Sequence, residues 1–364
     1  DVINLISKDP GLPDGIVYPG RAWGEGFPHF SEGPHLHEYL AEMRREVFDG
    51  RSATMTVGEC PGVRRDNVLL FTDPARRELD MVFQFDHVDL GLEAGKFDPR
   101  PLRPGELADC LSAWQEAQGQ VGWNSLYLDN HDQPRAVSRF GDEAHRYASA
   151  TALATALHML RGTPYVYQGE ELGMTNGVFC GIEDYRDVEA LRYYREATEK
   201  GKSPESVLSG LALTGRDNAR TPVQWDASPN AGFTQGTPWI GVTPNYEEIN
   251  AASQVDDPSS VYAYYRALAD IRHGLPVIAV GAYERIHAAS PAIFAYRRTL
   301  GEAVATVLVN LSSYPAPLGE AAREVSGDLL LANRDLPEEE RGVPEILGEW
   351  EARVYLASRG QGPQ

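Results

Sequence analysis

The order in which strand-like and helix-like patterns follow one another constrains the fold of this chain more than any other feature. Short apolar runs with strand character lie at residues 53–58, 79–85, 125–129 and 164–168. Patterns with helical spacing alternate with these runs, over residues 35–48, from Leu107 through Trp114, and over residues 143–161. This alternation predicts an α/β fold in which parallel strands are joined by helices.

Two of the strand-like runs are followed by carboxylates. Glu59 closes the run that begins near Thr54, and Asp132 follows Leu128 within the motif NHDQPR. In a (β/α)8 barrel the active site forms at the carboxyl ends of the strands, so both carboxylates are predicted at one catalytic face. A complete barrel has eight strand–helix units, and roughly half of them are visible here. We therefore expect the C-terminal half of a TIM barrel, from the end of its fourth strand onward.

The chain changes character twice after the last of these runs. Residues 175–257 are rich in Gly, Pro, Asn and aromatic residues, which predicts a long excursion that shapes a pocket. A helix over residues 258–273 would close the barrel, and short alternating strands follow. The predicted domains are a partial barrel over 1–274, a small antiparallel β-sandwich over 275–358 and a tail over 359–364.

Five segments between residue 1 and about residue 235 carry a resemblance to a known family. They read DVINLISKDPGLPDG, MTVGE, GWNSLYLDNHDQPRAVSRFGD, GTPYVYQGEELGMTN and RDNARTPVQWDASPNAGFT. Together they resemble the α-amylase superfamily of glycoside hydrolases, in the branch of the oligo-1,6-glucosidases and α-glucosidases. The resemblance implies Asp1 as the nucleophile, Glu59 as the general acid and base, and Asp132 as the residue that stabilises the transition state. Retention of configuration then predicts that the carboxyl groups of Asp1 and Glu59 lie about 5–5.5 Å apart.

The resemblance also implies contacts to the sugar. His131 is expected to hydrogen-bond a sugar hydroxyl. Arg220 is expected to bind glucose hydroxyls and the stabilising carboxylate, with Arg216 as the competing candidate. Val2 follows the nucleophile, and in this family a branched residue there accompanies cleavage of α-1,6 links.

The function implied is the release of glucose from the nonreducing end of short α-1,6-linked oligosaccharides such as isomaltose. Three alternatives remain open: an α-1,4-preferring α-glucosidase, a sucrose isomerase or transglucosylase, and a non-catalytic amylase-like partner protein. The charged Arg-Leu-Asp motif of sucrose isomerases is absent, since the corresponding stretch, residues 97–102, reads FDPRPL. This absence favours hydrolysis.

The resemblance begins at the nucleophile itself, which carries a further expectation. The missing parts of the family pattern are the first three strands and most of the fourth. We therefore expect this to be a partial sequence of a longer protein, and we expect the 364-residue chain by itself to be inactive.

Composition excludes several partner classes. A formal net charge of −20 disfavours nucleic acid, and no run of eighteen or more apolar residues is present to cross a membrane. The three cysteines are widely spaced, which fits reduced thiols in the cytoplasm. We expect a small oligosaccharide as substrate and no cofactor, and the oligomeric state is left open.

Two groups of residues resemble functional clusters, but we assign them other roles. The histidines His29, His35 and His37 lie in a Gly/Pro loop without fixed ligand spacing, so no metal site is predicted. Glu170 and Glu171 are expected to support the site rather than to react.

Overall fold

The computed structural model describes residues 2–19, 23–51 and 53–358, and of Ser358 only the backbone. The predicted nucleophile Asp1 and the predicted tail lie outside these described residues. The chain divides into two compact units. The first runs to His87 and adds Cys110–Leu126 and Arg161–Thr163, and the second comprises Val88–Asp109, Tyr127–Leu160 and the chain from Pro164 onward. This division does not test the predicted domain boundary at residue 274.

The helices and strands have the following bounds. The helices are α1 (Phe27–Phe30), α2 (Leu36–Met43), α3 (Val68–Thr72), α4 (Glu106–Gln118), α5 (Ala136–Phe140), α6 (Arg146–His158), α7 (Val188–Glu199), α8 (Pro204–Thr214), α9 (Asp217–Arg220), α10 (Ala251–Gln254), α11 (Val261–Gly274) and α12 (Pro276–Val280). The strands are β1 (Val57–Glu59), β2 (Met81–Phe83), β3 (Ser125–Leu126), β4 (Thr163–Pro164), β5 (Ala282–Ile286), β6 (Ile293–Leu300), β7 (Ala303–Asn310), β8 (Ala316–Pro317), β9 (Asp328–Ala332), β10 (Ile346–Leu347) and β11 (Ala352–Ser358).

The first unit is built on parallel backbone pairing. Strands β1 and β2 are parallel, with Glu59 opposite Phe83. A parallel bridge joins Val82 to Asn124, and the Asn124 carbonyl accepts a hydrogen bond from Thr163 N at 2.8 Å. The four runs predicted as strands therefore lie side by side in the order in which they occur along the chain. The strand segments are shorter than predicted: β3 ends at Leu126, and β4 begins at Thr163 and overlaps its predicted run only at Pro164.

Helix α2 differs from its predicted amphipathic face. Leu36 and Leu40 are buried in one apolar cluster, as the spacing predicts, but Tyr39 and Val47 are 43% and 45% exposed. The helix ends at Met43 and continues as a π-helical turn over Arg44–Phe48. The wider π turn changes the angular spacing of side chains, so Val47 leaves the apolar face that a regular α-helix would have given it.

Helix α6 is buried within the second unit. Its residues from Ser149 to His158 are all buried, because small Ala, Ser and Thr side chains let other elements approach it closely. Thr155 Oγ1 lies 2.7 Å from the Tyr264 hydroxyl of α11. Tyr296 of β6 donates from its hydroxyl to the Ala156 carbonyl at 2.9 Å. The helix is therefore packed against α11 and against the C-terminal sheet.

The C-terminal sheet is antiparallel, with the strand order β5-β6-β7-β11-β9. Side chains alternate between its faces, as the period of two in a strand requires. Ile293 and Ala295 join one apolar cluster with Leu318 and Leu347, near the small β8/β10 pair. Arg298 of β6 instead donates to the Met159 carbonyl that follows α6. The predicted short alternating strands are thus present as a sheet that is covered on both faces.

The predicted excursion over 175–257 contains regular structure that the sequence pattern did not reveal. Helices α7 and α8 pack together around Ala190, Ala197 and Leu211. The prediction missed them because the helical spacing in α7 is carried by alanine and tyrosine rather than by large aliphatic residues. The rest of the segment exposes three large aromatic side chains, Trp225, Phe233 and Trp239.

Candidate active site

Glu59 is the last residue of β1 and is half-buried in the first unit. The glycine before it fits closely: a Cβ at Gly58 would lie 2.7 Å from side-chain atoms of Ile3 and Leu79. Ile3 belongs to the 3-10 turn that follows Val2, and Asn4 of that turn donates from Nδ2 to the Pro61 carbonyl at 2.8 Å. The segment after Val2 is therefore bound directly to the segment around Glu59.

Asp132 lies in the second unit, in the loop between β3 and α5. Asn130 Oδ1 accepts a hydrogen bond from Asp132 N at 2.8 Å, and the Asn130 carbonyl accepts one from Gln133 N at 3.2 Å. These local bonds explain the tight turn that Asn and Asp residues form before a proline. The Asp132 side chain remains half-buried, with its carboxylate open to charged neighbours.

Arg220 makes the closer of two arginine contacts to Asp132. Arg220 Nη2 donates to Asp132 Oδ1 at 2.6 Å, whereas Arg216 Nη1 lies 3.5 Å from Asp132 Oδ2. Desolvation raises the pKa of Asp132, but the Arg220 hydrogen bond and the charges of His131 and the two arginines outweigh it. The net result is a pKa below the ordinary value. Asp132 is thereby held as a carboxylate.

Asp187 is a site residue that sequence reasoning missed. It is buried and accepts hydrogen bonds from Arg216 Nη2 at 2.8 Å and from Arg216 Nε at 3.0 Å. Arg220 Nη1 lies 3.5 Å from the same carboxylate. Its backbone N–H is fixed in turn by Asp217 Oδ2 at 3.0 Å. No sequence motif singles Asp187 out, because only the tertiary fold brings it next to these arginines.

His131 is the most exposed member of this group. Its side chain is 68% exposed, and Nε2 lies 3.8 Å from Asp132 Oδ1. Its backbone carbonyl accepts a hydrogen bond from Arg220 Nε at 3.3 Å. An exposed imidazole beside an ionised carboxylate has donors and acceptors to offer a ligand, so a hydroxyl contact for His131 stays a prediction.

A family model described as "Alpha amylase, catalytic domain" matches residues 1–281 of the chain. The chain belongs to this family. It is 49% identical over 361 residues to an oligo-1,6-glucosidase of Parageobacillus thermoglucosidasius, a match that covers 98% of this chain and 64% of the relative.

Solved structures agree with the α-amylase assignment. The chain superposes on a trehalose-6-phosphate hydrolase of Bacillus licheniformis with a TM-score of 0.87 at 40% identity, covering 98% of this chain and 64% of the other. It superposes on an isomaltulose synthase of Klebsiella sp. LX3 with a TM-score of 0.89 at 34% identity and the same coverage. These matches confirm the expected fold class, a TIM-barrel region followed by an antiparallel β-domain. The chain spans less than two thirds of the length of the relatives it matches.

The three histidines near the start of this α-amylase family chain each pair with a different carboxylate. His29 Nδ1 lies 3.0 Å from Asp9 Oδ2, and His35 Nδ1 lies 3.1 Å from Glu38 Oε2. His37 Nδ1 lies 2.6 Å from Glu78 Oε2. Within the described ranges no group of three or more His, Cys, Asp or Glu residues is arranged to hold a metal ion. Each of the three histidines therefore has its own carboxylate partner.

Cys60, Cys110 and Cys180 are all free thiols. Burial is the main reason why the pKa of Cys110 is raised to about 12. Among the residues that the structure describes, no helix is long and apolar enough to span a membrane.

Proposed function

We propose that this protein is a retaining α-glucoside hydrolase that releases glucose from the nonreducing end of short α-1,6-linked oligosaccharides. The observation that carries this proposal is the arginine-bound Asp132: a carboxylate held ionised beside Arg220, in a loop that follows a barrel strand. Such a carboxylate suits the stabilisation of positive charge on a sugar ring.

The roles of the other residues complete the mechanism. Glu59 donates a proton to the leaving glycosidic oxygen while Asp1 attacks the anomeric carbon from the opposite face. The glycosyl ester that forms on Asp1 is then opened by water, from which Glu59 takes the proton. Asp132 stabilises the oxocarbenium-like state in both steps. Arg220 and His131 hold sugar hydroxyls near Asp132.

Three observations favour α-1,6 hydrolysis over the alternatives. The relative at 49% identity is named an oligo-1,6-glucosidase, and Val2 is the branched residue that accompanies this linkage preference. The stretch that would carry the charged motif of a sucrose isomerase holds Arg100, which donates to Glu106 Oε1 and Oε2 at 2.8 Å each. Its charge is thus engaged within the protein. We further propose the cytoplasm as the location, on the strength of the free cysteines.

Anomeric-proton NMR on the full-length protein tests the proposal. Isomaltose, maltose, sucrose and trehalose 6-phosphate are offered side by side. We expect isomaltose to disappear fastest and α-glucose to appear before mutarotation. If β-glucose appears first, the retaining mechanism is wrong. If maltose or trehalose 6-phosphate is consumed fastest, the linkage assignment is wrong, and conversion of sucrose into another disaccharide identifies an isomerase.

A pair of variants separates the linkage assignment from the mechanism. Val2→Thr keeps the branched shape but adds a hydroxyl, and we expect it to shift the ratio of isomaltose to maltose turnover toward maltose by roughly 10-fold. Asp132→Asn keeps the size of the side chain but removes the charge. We expect it to reduce the turnover rate of every sugar by about 10² or more. The substrate preference of the residual activity should stay unchanged.

A further inference from the structure

Two carboxyl groups are buried together behind the loop that carries Asp132. Asp129 is 2% exposed and Glu170 is 4% exposed, and each carboxyl group is among the groups that shift the pKa of the other. Both carboxyl groups accept hydrogen bonds from other residues: Asp129 Oδ2 from Ala136 N at 2.8 Å, and Glu170 Oε1 from the Tyr265 hydroxyl at 2.8 Å. The pair has no part in the chemistry assigned above.

The proton count of this pair is constrained by its partners. Asp129 Oδ1 and Glu170 Oε2 are buried, and neither receives a hydrogen bond from an N–H or O–H donor of the described residues. A hydrogen bond between two carboxyl groups requires a proton on one of them. Two buried carboxylates without that proton would repel each other in a medium of low dielectric.

Charge balance leads to the same count. Arg135 is fully buried and its positive charge favours the carboxylate of Asp129, and Asp129 is the acidic group that favours the charge of Arg135 most. One negative charge on the pair balances the positive charge of Arg135. A second negative charge would leave the buried cluster with a net negative charge. Burial is the main reason why the pKa values of Asp129 and Glu170 are both raised. The charged and titratable groups that act on the pair are Arg135, Glu171 and Tyr265, with Tyr167 beside Arg135 and His158 against the Tyr265 ring.

Arg135 connects the pair to the site. It ends the Asp132 loop, its Nη1 donates to the Gln168 carbonyl at 2.6 Å, and its Nη2 lies 3.4 Å from the Thr221 carbonyl. Gln168 lies two residues before Glu170, and Thr221 directly follows Arg220. Asp129 closes the base of the same loop through Ala136 N. The buried cluster therefore ties together the segments that carry Asp132 and Arg220.

We propose that Asp129 and Glu170 share a single proton and, together with Arg135, act as positioning residues for the loop that carries Asp132. The positioning part of this inference rests on the proposed function, whereas the shared proton does not. Neither carboxyl group contacts substrate in this assignment. Asp129 and Glu170 hold the backbone on which the stabilising carboxylate is placed.

The shared proton is tested by thermal unfolding of the full-length protein. Glu170→Gln replaces the protonated acid with an amide that can donate to Asp129 and accept from Tyr265. A protonated acid in the folded state loses stability as pH rises above its ordinary range, and glutamine does not. We therefore expect Tm of the variant, relative to wild type, to rise by roughly 2 °C or more between about pH 5 and about pH 8. A flat or falling difference overturns the shared proton.

The matched control is the same substitution at another buried glutamate. Glu351 is also buried, but it accepts hydrogen bonds from Arg353 Nε at 2.7 Å and from Gly348 N at 2.7 Å, as an ionised carboxylate does. Glu351→Gln should lower Tm at about pH 7, because it removes the charge that Arg353 pairs with. If both variants lose Tm alike, Glu170 is an ordinary ionised carboxylate and the proposal fails.

Kinetics test the positioning role. Glu170→Leu fills the space but neither donates nor accepts, and we expect kcat on isomaltose to fall on the order of tenfold or more with a smaller change in KM. Glu170→Gln should restore kcat to within about threefold of wild type. Equal losses in Leu and Gln variants contradict positioning through a shared proton. If the wild-type protein turns over no sugar but the Tm result holds, the proposed function is lost and the shared proton stands.

Discussion

Arg220 bridges two carboxylates: its Nη2 donates to Asp132 Oδ1 at 2.6 Å, and its Nη1 lies 3.5 Å from Asp187 Oδ1. Arg216 makes the complementary pair of contacts, closer to Asp187 than to Asp132. The two guanidinium groups thus alternate with two carboxylates of different burial. The buried Asp187 holds the arginines in place, and the more exposed Asp132 is left available to a ligand.

Substitution of Arg220 should change both the rate and the pH dependence of hydrolysis. In Arg220→Leu the pKa of Asp132 should rise, because desolvation then acts with less opposition. The acidic limb of the kcat/KM profile should therefore move to higher pH, and the maximum should fall by about 10² or more. Arg220→Lys is the control. It keeps the positive charge but loses the planar guanidinium with its several N–H donors, so the acidic limb should move less than in the leucine variant. An unmoved limb in Arg220→Leu would contradict this electrostatic coupling.

Asp187 should contribute more to the free energy of unfolding than Glu189, which also lies beside Arg216. Asp187→Asn leaves Arg216 without its closest charged partner at a side chain that is 3% exposed. We expect a loss of about 2–3 kcal/mol in the free energy of unfolding, measured in urea. Glu189→Gln is the matched control, since Glu189 Oε2 lies 3.3 Å from Arg216 Nε but is 40% exposed. It should cost less than about 1 kcal/mol. Similar losses in the two variants would refute the ranking.

Two adjacent arginines of β6 give a test of how the C-terminal sheet is attached to α6. Arg298 is buried and donates to the carbonyls of Met159 at 2.7 Å and Gly281 at 2.6 Å. Arg298→Met removes both donors, so we expect a loss of about 2–4 kcal/mol in chemical denaturation.

Arg297 provides the comparison on the same strand. It pairs with the exposed Glu284 at 3.1 Å and Glu324 at 3.2 Å. Arg297→Met should change stability by less than about 1 kcal/mol. A larger loss at Arg297 than at Arg298 would show that the sheet depends on its surface pairs instead.

His158 should make the protein sensitive to mild acid. Burial, together with the charge of Arg272, lowers its pKa from 6.5 to about 3, so the folded state holds it neutral. The unfolded chain binds the proton first as pH falls below 6.5, and stability is lost by up to about 1.4 kcal/mol per pH unit in that range. His158→Gln removes the titrating group. The urea midpoint of the variant should fall less than that of wild type between about pH 7 and about pH 5, and parallel losses would contradict this assignment.

Local sequence patterns determined the kind of elements more reliably than their ends. The apolar runs at residues 53–58 and 79–85 identified neighbouring parallel strands, because strand residues with apolar side chains need burial on both faces. Helix α4 follows its predicted spacing through Leu107 and Trp114. The ends differ from the predicted runs: β3 covers only Ser125–Leu126, and β4 begins at Thr163 and shares only Pro164 with its run.

Helices with few large aliphatic residues were not predicted from the sequence pattern. Helix α7 places small and aromatic residues against Phe97 and Leu211, which are distant in sequence. Residues 188–199 are amphipathic but contain few large aliphatic side chains, so an interpretation that looked for apolar runs missed this helix.

The sequence by itself determined which residue types could carry glycoside chemistry: Glu59, Asp132 and Arg220 stand in recognisable motifs. Only the tertiary structure decided what surrounds them. It brought Asp187 to the arginines, ranked Arg220 above Arg216 as the partner of Asp132, and buried Asp129 against Glu170. The physical reason is that a motif records local identity, whereas charge and proton sharing depend on distances and dielectric that are created when remote segments pack together.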